Sequence, residues 1–118
     1  MTRDQFNRFC ATLPAATHVV QWGNSDVWKV GGKVFAICNA NGAECPGITF
    51  KTSPIAFEIL GDVPGLRPAP YLASRGLKWI QRHGEESLSL DELGEYLTRS
   101  HELVVEGLSR KRRAELGL

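Results

Sequence analysis

Trp28-Lys29-Val30-Gly31-Gly32-Lys33-Val34-Phe35-Ala36 is a pair of largely apolar runs joined by two glycines. A two-residue connection between antiparallel strands needs positive φ at its central positions, which glycine adopts without steric cost. The stretch therefore predicts a tight β-hairpin, with Val27 to Val30 leading in and Lys33 to Cys38 returning. Neighbouring residues on a strand face opposite ways, so if Trp28 packs inward, Lys29 points out.

Toward the N-terminus, His18 to Trp22 is a short β-branched run, and Gly23-Asn24-Ser25 supplies a turn. Thr2 and Gln5 have capping-box spacing, and Phe6, Phe9, Cys10 and Leu13 then recur on one helical face until Pro14 stops the helix. Toward the C-terminus, Asn39 to Pro46, which holds Asn41-Gly42, reads as a longer loop. Gly47 to Lys51 reads as a strand with Ile48 and Phe50 on one side and Thr49 and Lys51 on the other. Ser53-Pro54 opens a helix that runs to about Leu60, with Gly61 as its cap. Val63 to Pro70, with three prolines and a glycine, reads as a fixed loop, and Leu77 to Arg82 as the last strand.

Ser89 and Glu92 form a second capping box before Leu90, Leu93, Leu97 and Val104. Gly94 weakens that helix by about 1 kcal/mol relative to alanine, a cost that a close neighbour would explain. Arg110-Lys111-Arg112-Arg113 forms a basic C-terminal tail from about residue 109. It reads either as an arm gripping phosphates or as cations favoured near a helix C-terminus. The expectation is one α+β domain over residues 1–118, an antiparallel sheet of about five strands with roughly three helices, covered mainly on one face. The other face stays partly wet, and function is expected there.

The 118 residues are 42% hydrophobic and 23% charged, as in an ordinary globular domain. A net charge of +1 excludes a whole-molecule field that steers toward DNA or membrane, so a nucleic-acid reading must rest on local distribution. No apolar run resembles a signal peptide or a membrane span, so a cytoplasmic location and no membrane partner are expected. Cys10, Cys38 and Cys45, odd in number and without a CxxC, read as free thiols.

Three lysines adjoin an aromatic on an expected strand: Trp28-Lys29, Phe50-Lys51 and Lys78-Trp79. With the aromatics packed inward, Lys29, Lys51, Lys78 and Arg82 would form a basic patch on one open face, suited to a phosphate backbone. The plainer alternative is that solvent-facing strands carry lysine for solubility. Trp22, Tyr71 and Trp79 read first as core residues and second as platforms for stacking bases. A rival surface is the proline-rich Val63 to Pro70 loop with Tyr71 and Trp79, which would serve a protein-interaction or small-ligand adaptor.

Catalysis finds little support. His18, His83 and His101 sit in separate elements without metal-ligand spacing. Cys45 has no partner base, and the acids Glu85, Glu86, Asp91, Glu92 and Glu95 are accounted for by a helix N-terminus. No phosphate loop, dinucleotide fingerprint or nucleophile elbow occurs. No enzyme activity, metal or cofactor is expected, and the chain is expected to be a monomer or weak dimer.

The chain resembles the MmcQ/YjbR-like family of small bacterial proteins. The resemblance rests on Trp22-Gly23, the Trp28-to-Ala36 hairpin, Ile48-Thr49-Phe50-Lys51, Tyr71, Lys78-Trp79 and Ser100-His101-Glu102-Leu103-Val104. It implies a compact α+β fold of the frataxin-like or double-wing kind, a role in DNA binding, and no catalytic residues. Two positions depart from the family pattern: His101, where tyrosine is frequent, and Ile80, where a polar residue is usual. Frataxin-like iron handling needs an acidic first helix, and here that helix carries only Asp4 beside Arg3 and Arg8.

Overall fold

Two rows of side chains crossing the sheet decide which face is buried. His18, Trp28, Ala36, Phe50, Ile80 and Pro68 stand opposite one another in sequence across six strands, and so do Val20, Asp26, Cys38, Ile48, Arg82 and Leu66. The structure, a computed structural model, describes residues 1–84 and 87–118; Glu85 and Glu86 of the expected acidic cluster lie outside them. Among the described residues the strands are β1 (Ala16–Gln21), β2 (Ser25–Val30), β3 (Lys33–Asn41), β4 (Glu44–Lys51), β5 (Leu66–Pro68) and β6 (Trp79–Arg82). All pairs are antiparallel, in the order β1-β2-β3-β4-β6-β5.

The helices are α1 (Arg3–Ala11), α2 (Pro54–Leu60), α3 (Leu90–Glu106) and α4 (Arg110–Glu115). The α+β expectation holds, with one more strand and one more helix than anticipated. Both capping boxes form as the spacing indicates: Thr2 with Gln5 opens α1, and Ser89 with Glu92 opens α3. α1 and α3 cover the two rows, placing Phe6, Cys10, Leu93, Leu97 and Val104 against Trp28, Phe35, Ile48, Phe50 and Ile80. Each large apolar side chain buried there contributes on the order of 2 kcal/mol. Ser100 Oγ donates to the Lys51 carbonyl at 2.6 Å, and His101 Nε2 bonds the Pro14 carbonyl at 2.7 Å, which pins α3 to the end of β4 and to the turn after α1.

The β2–β3 turn is the hairpin the glycines require, with φ of +61° at Gly31 and +80° at Gly32. Gly31 does more than turn. A Cβ there would lie 2.8 Å from Leu108, so the turn admits the α3–α4 connection. Gly94 does have its close neighbour: a Cβ would sit 3.0 Å from the Phe9 ring.

Several expectations are corrected. The Asn39–Pro46 segment is not a loop: β3 continues to Asn41, and β4 starts at Glu44 after a tight turn at Gly42. Pro46 is tolerated because the register slips beside it, in a bulge where no ladder donor is needed. The Val63–Pro70 segment contains β5, an edge strand, where prolines are tolerated because one side needs no ladder donor. The basic run Arg110–Arg113 is part of α4, capped by Ser109, and is not an extended arm. Cys38 and Cys45 are joined by a disulfide between the neighbouring strands β3 and β4, so only Cys10 is a thiol, buried and with its ionisation pushed far up by burial. No helix of the described residues is long and apolar enough to cross a membrane.

Candidate ligand cleft on the open sheet face

The strand residues between the buried rows face the opposite way. Val19, Val27, Ile37, Thr49, Gln81 and Arg67 form a row across all six strands, flanked by Gln21, Ser25, Asn39 and Gly47 on one side. On the other side stand Lys29 and Lys51, the latter opposite Trp79. Strand geometry puts Lys51 about 7 Å along from Thr49 on this face.

The four expected cations are therefore not brought together. Lys29 and Lys51 lie on the open face, each partly exposed. Lys78 and Arg82 share a side with Ile80, which is fully buried under the helices. The Lys78 ammonium lies 4.8 Å from the Phe57 ring centre of α2. Arg82 is 6% exposed between Ile48 and Leu66, with Nη2 donating to the Leu88 carbonyl at 3.4 Å. Trp79, unlike Trp28 and Phe50, does not pack under the helices but stands beside Lys51, so Lys78 and Arg82 fall on the helix side with Ile80.

What the open face does assemble is a cleft of about 500 Å3. Its floor is Ile37, Asn39, Thr49 and Gln81, with Ser25 and Arg67 at its sides. Its rim is made by Trp22 from the β1–β2 turn and by Pro70, Tyr71 and Leu72 from the β5–β6 connection. Trp22 and Tyr71, expected first as core, are 62% and 86% exposed. Both hold left-handed backbone, with φ of +51° and +68°. That conformation is costly for bulky residues, on the order of 1–3 kcal/mol each, and such outliers concentrate at functional sites.

The floor is ordered by hydrogen bonds. Arg67 Nε and Nη2 donate to Gln81 Oε1 at 2.9 and 2.6 Å, and Gln81 Nε2 donates to Thr49 Oγ1 at 3.4 Å. Gly47 makes room for this arrangement: a Cβ there would come 3.1 Å from Gln81 Nε2 and 3.2 Å from Asn39 Nδ2. Among the described residues the lining holds one cation, Arg67, and no carboxylate. A planar ligand rich in hydrogen-bond acceptors is the complement of such a surface.

Away from the cleft, Asp26 is tied into the fold. Burial would raise the Asp26 carboxyl, but hydrogen bonds from Arg3, His18 and Asn7 and the Arg3 charge hold it below its ordinary value. Its oxygens stand 2.5 Å from Arg3 Nε and 2.8 Å from His18 Nε2. His83 is exposed, and no group of three or more His, Cys, Asp or Glu capable of holding a metal stands together among the described residues.

Of the cleft residues, Trp22, Tyr71 and Thr49 drew notice in the sequence. Arg67 and Pro70 belong to the proline-rich Val63 to Pro70 loop that the sequence offers as a rival surface, whereas Ser25, Asn39 and Gln81 carry no functional signal there, because what joins them is cross-strand register, which one sequence does not display. Arg67 and Gln81 are fourteen residues apart and meet only because β5 pairs with β6.

The family model described as YjbR matches residues 11–103, a span that holds every residue of the cleft. No curated protein matches the chain. Among solved structures, the chain is similar to the crystal structure of a Deinococcus radiodurans protein with a DUF419 domain. The two are 24% identical, with a TM-score of 0.83 over 99% of this chain and 88% of that one, a likeness of fold.

Proposed function

The chain belongs to the YjbR family, and from its open sheet face we propose that it binds DNA as a single strand, without catalysis. One observation carries the reading: two exposed aromatics, Trp22 and Tyr71, rim a hydrogen-bonding cleft on the face that also presents Lys29 and Lys51. Unpaired bases stack on aromatic side chains with little regard to sequence, while cations follow the phosphates. A duplex offers no free base faces to this cleft. A strand with unpaired bases does, and its sugar-phosphate chain would run over the lysines beside the floor.

Trp22 is exposed at the rim while Trp28 and Trp79 are buried, so a change in tryptophan emission that is lost in Trp22→Phe reports on the rim. Titration with a single-stranded oligonucleotide is expected to quench the emission, with the quench absent from Trp22→Phe and a duplex of the same sequence binding at least tenfold more weakly. Equal affinity for duplex and single strand, or unchanged emission under saturating single strand, would contradict the reading.

The cleft's size favours one rival, a small-ligand adaptor, because about 500 Å3 lies within the range of small-molecule pockets. It predicts affinity for a mononucleotide as high as for a longer strand, whereas the DNA reading predicts affinity that rises with length.

A further inference from the structure

We propose that the cleft reads one unpaired keto base, thymine or guanine, with Gln81 as the specificity-determining residue and Arg67 as the residue that positions it. This rests on the single-strand reading above and adds a preference to it. The argument starts from the chemistry of the guanidinium, which carries five donors and no acceptor. Arg67 Nε and Nη2 stand 2.9 and 2.6 Å from one terminal atom of the Gln81 amide, so that atom is the oxygen. The amide NH2 is thereby turned to the floor. One of its protons goes to Thr49 Oγ1 at 3.4 Å. Thr49, accepting there, retains a hydroxyl proton to donate.

Gln81 and Thr49 are 5% and 4% exposed, so their donors are withdrawn from bulk water, and the one bond between them, from Gln81 Nε2 to Thr49 Oγ1, is long at 3.4 Å. A donor left unmade in such a place is costly, and a ligand acceptor relieves that cost. Among the described residues, the cleft lining has no carboxylate to compete. Thymine brings O4 to this floor and guanine brings O6 beside N7. Cytosine and adenine bring an exocyclic amino group to the corresponding position, setting donor against donor. Stacking on Trp22 and Tyr71 is similar for all four bases, so the floor decides among them. A buried polar site that hydrogen-bonds its ligand discriminates strongly against an analogue that leaves it unpaired.

Oligothymidylate and oligocytidylate of equal length differ at the atom in question while keeping the same ring size and backbone. The full chain is expected to bind labelled oligothymidylate about tenfold more tightly in anisotropy titrations, the effect of one hydrogen bond made or lost. Gln81→Glu keeps the shape and one oxygen for Arg67 but turns an acceptor to the floor, so the preference should vanish or reverse. Thr49→Val, which removes the second donor without changing volume, should reduce the preference, and it serves as the check if the glutamate variant does not fold. Equal binding of the two strands by wild type would overturn the base preference and leave single-strand binding standing. Binding of neither strand would overturn both. A thymine preference that persists in Gln81→Glu and Thr49→Val would also overturn the assignment to these residues.

Discussion

Asp26 shows how much one side chain can settle on the helix side of the sheet. Its carboxylate is 1% exposed, stands in the row with Cys38 and Ile48, and ties α1 to β1 through Arg3 and His18. Arg3 and His18 look unremarkable in the sequence, and nothing in a single chain says that they converge on an acid in β2. Because the folded carboxyl is held below its ordinary value, the native state gains stability from it at pH above about 4 and loses that gain as pH falls through the lowered value. Urea unfolding at neutral pH and near pH 3 should show this loss, and Asp26→Asn should narrow the difference between the two. An unchanged difference in the variant would mean that other carboxylates carry the acid sensitivity. The Gln81 amide is the counterpart on the open face, where Arg67 and Gly47 set its direction and room before any ligand arrives.

At the scale of elements, the Gly31-Gly32 turn offers a sharp comparison. Both glycines have positive φ, so alanine at either costs about 1 kcal/mol in backbone strain. At Gly31 the added Cβ also meets Leu108 at 2.8 Å, whereas at Gly32 nothing lies within 4 Å. Gly31→Ala should therefore destabilise by roughly 2 kcal/mol and Gly32→Ala by about 1, read as a larger fall in thermal midpoint for the first. Equal falls would mean that Leu108 moves aside freely.

Elements announced by local chemistry were legible in the sequence: both capping boxes, the double-glycine turn and the proline-started α2 all stand where spacing puts them. Elements that depend on a partner were not. β5 is three residues ending in Pro68 and exists because β6 offers an edge, and the β3–β4 hairpin hides in a segment whose asparagines, glycine and proline imitate a loop. The disulfide follows from that same missed hairpin, since only the pairing of β3 with β4 brings Cys38 and Cys45 within 5.5 Å at Cα.

For the whole molecule, the decisive quantity is which face each cation occupies. With a net charge of +1, no long-range field favours DNA, so the proposed binding rests on local contacts on the open face. Lys29, Lys51 and Arg67 lie there, so salt dependence should be modest, a slope of log affinity against log salt no steeper than about −2 for a single strand. The most direct test is anisotropy of labelled single-stranded DNA at two salt concentrations with wild type, a Lys29→Glu, Lys51→Glu double variant and Lys78→Glu. If the strand lies on the open face, wild type binds more weakly at the higher salt, the double variant loses binding at both, and Lys78→Glu, on the far side of the sheet, binds as wild type does. Loss of binding in Lys78→Glu with retention in the double variant would place the DNA on the helix side and contradict the account.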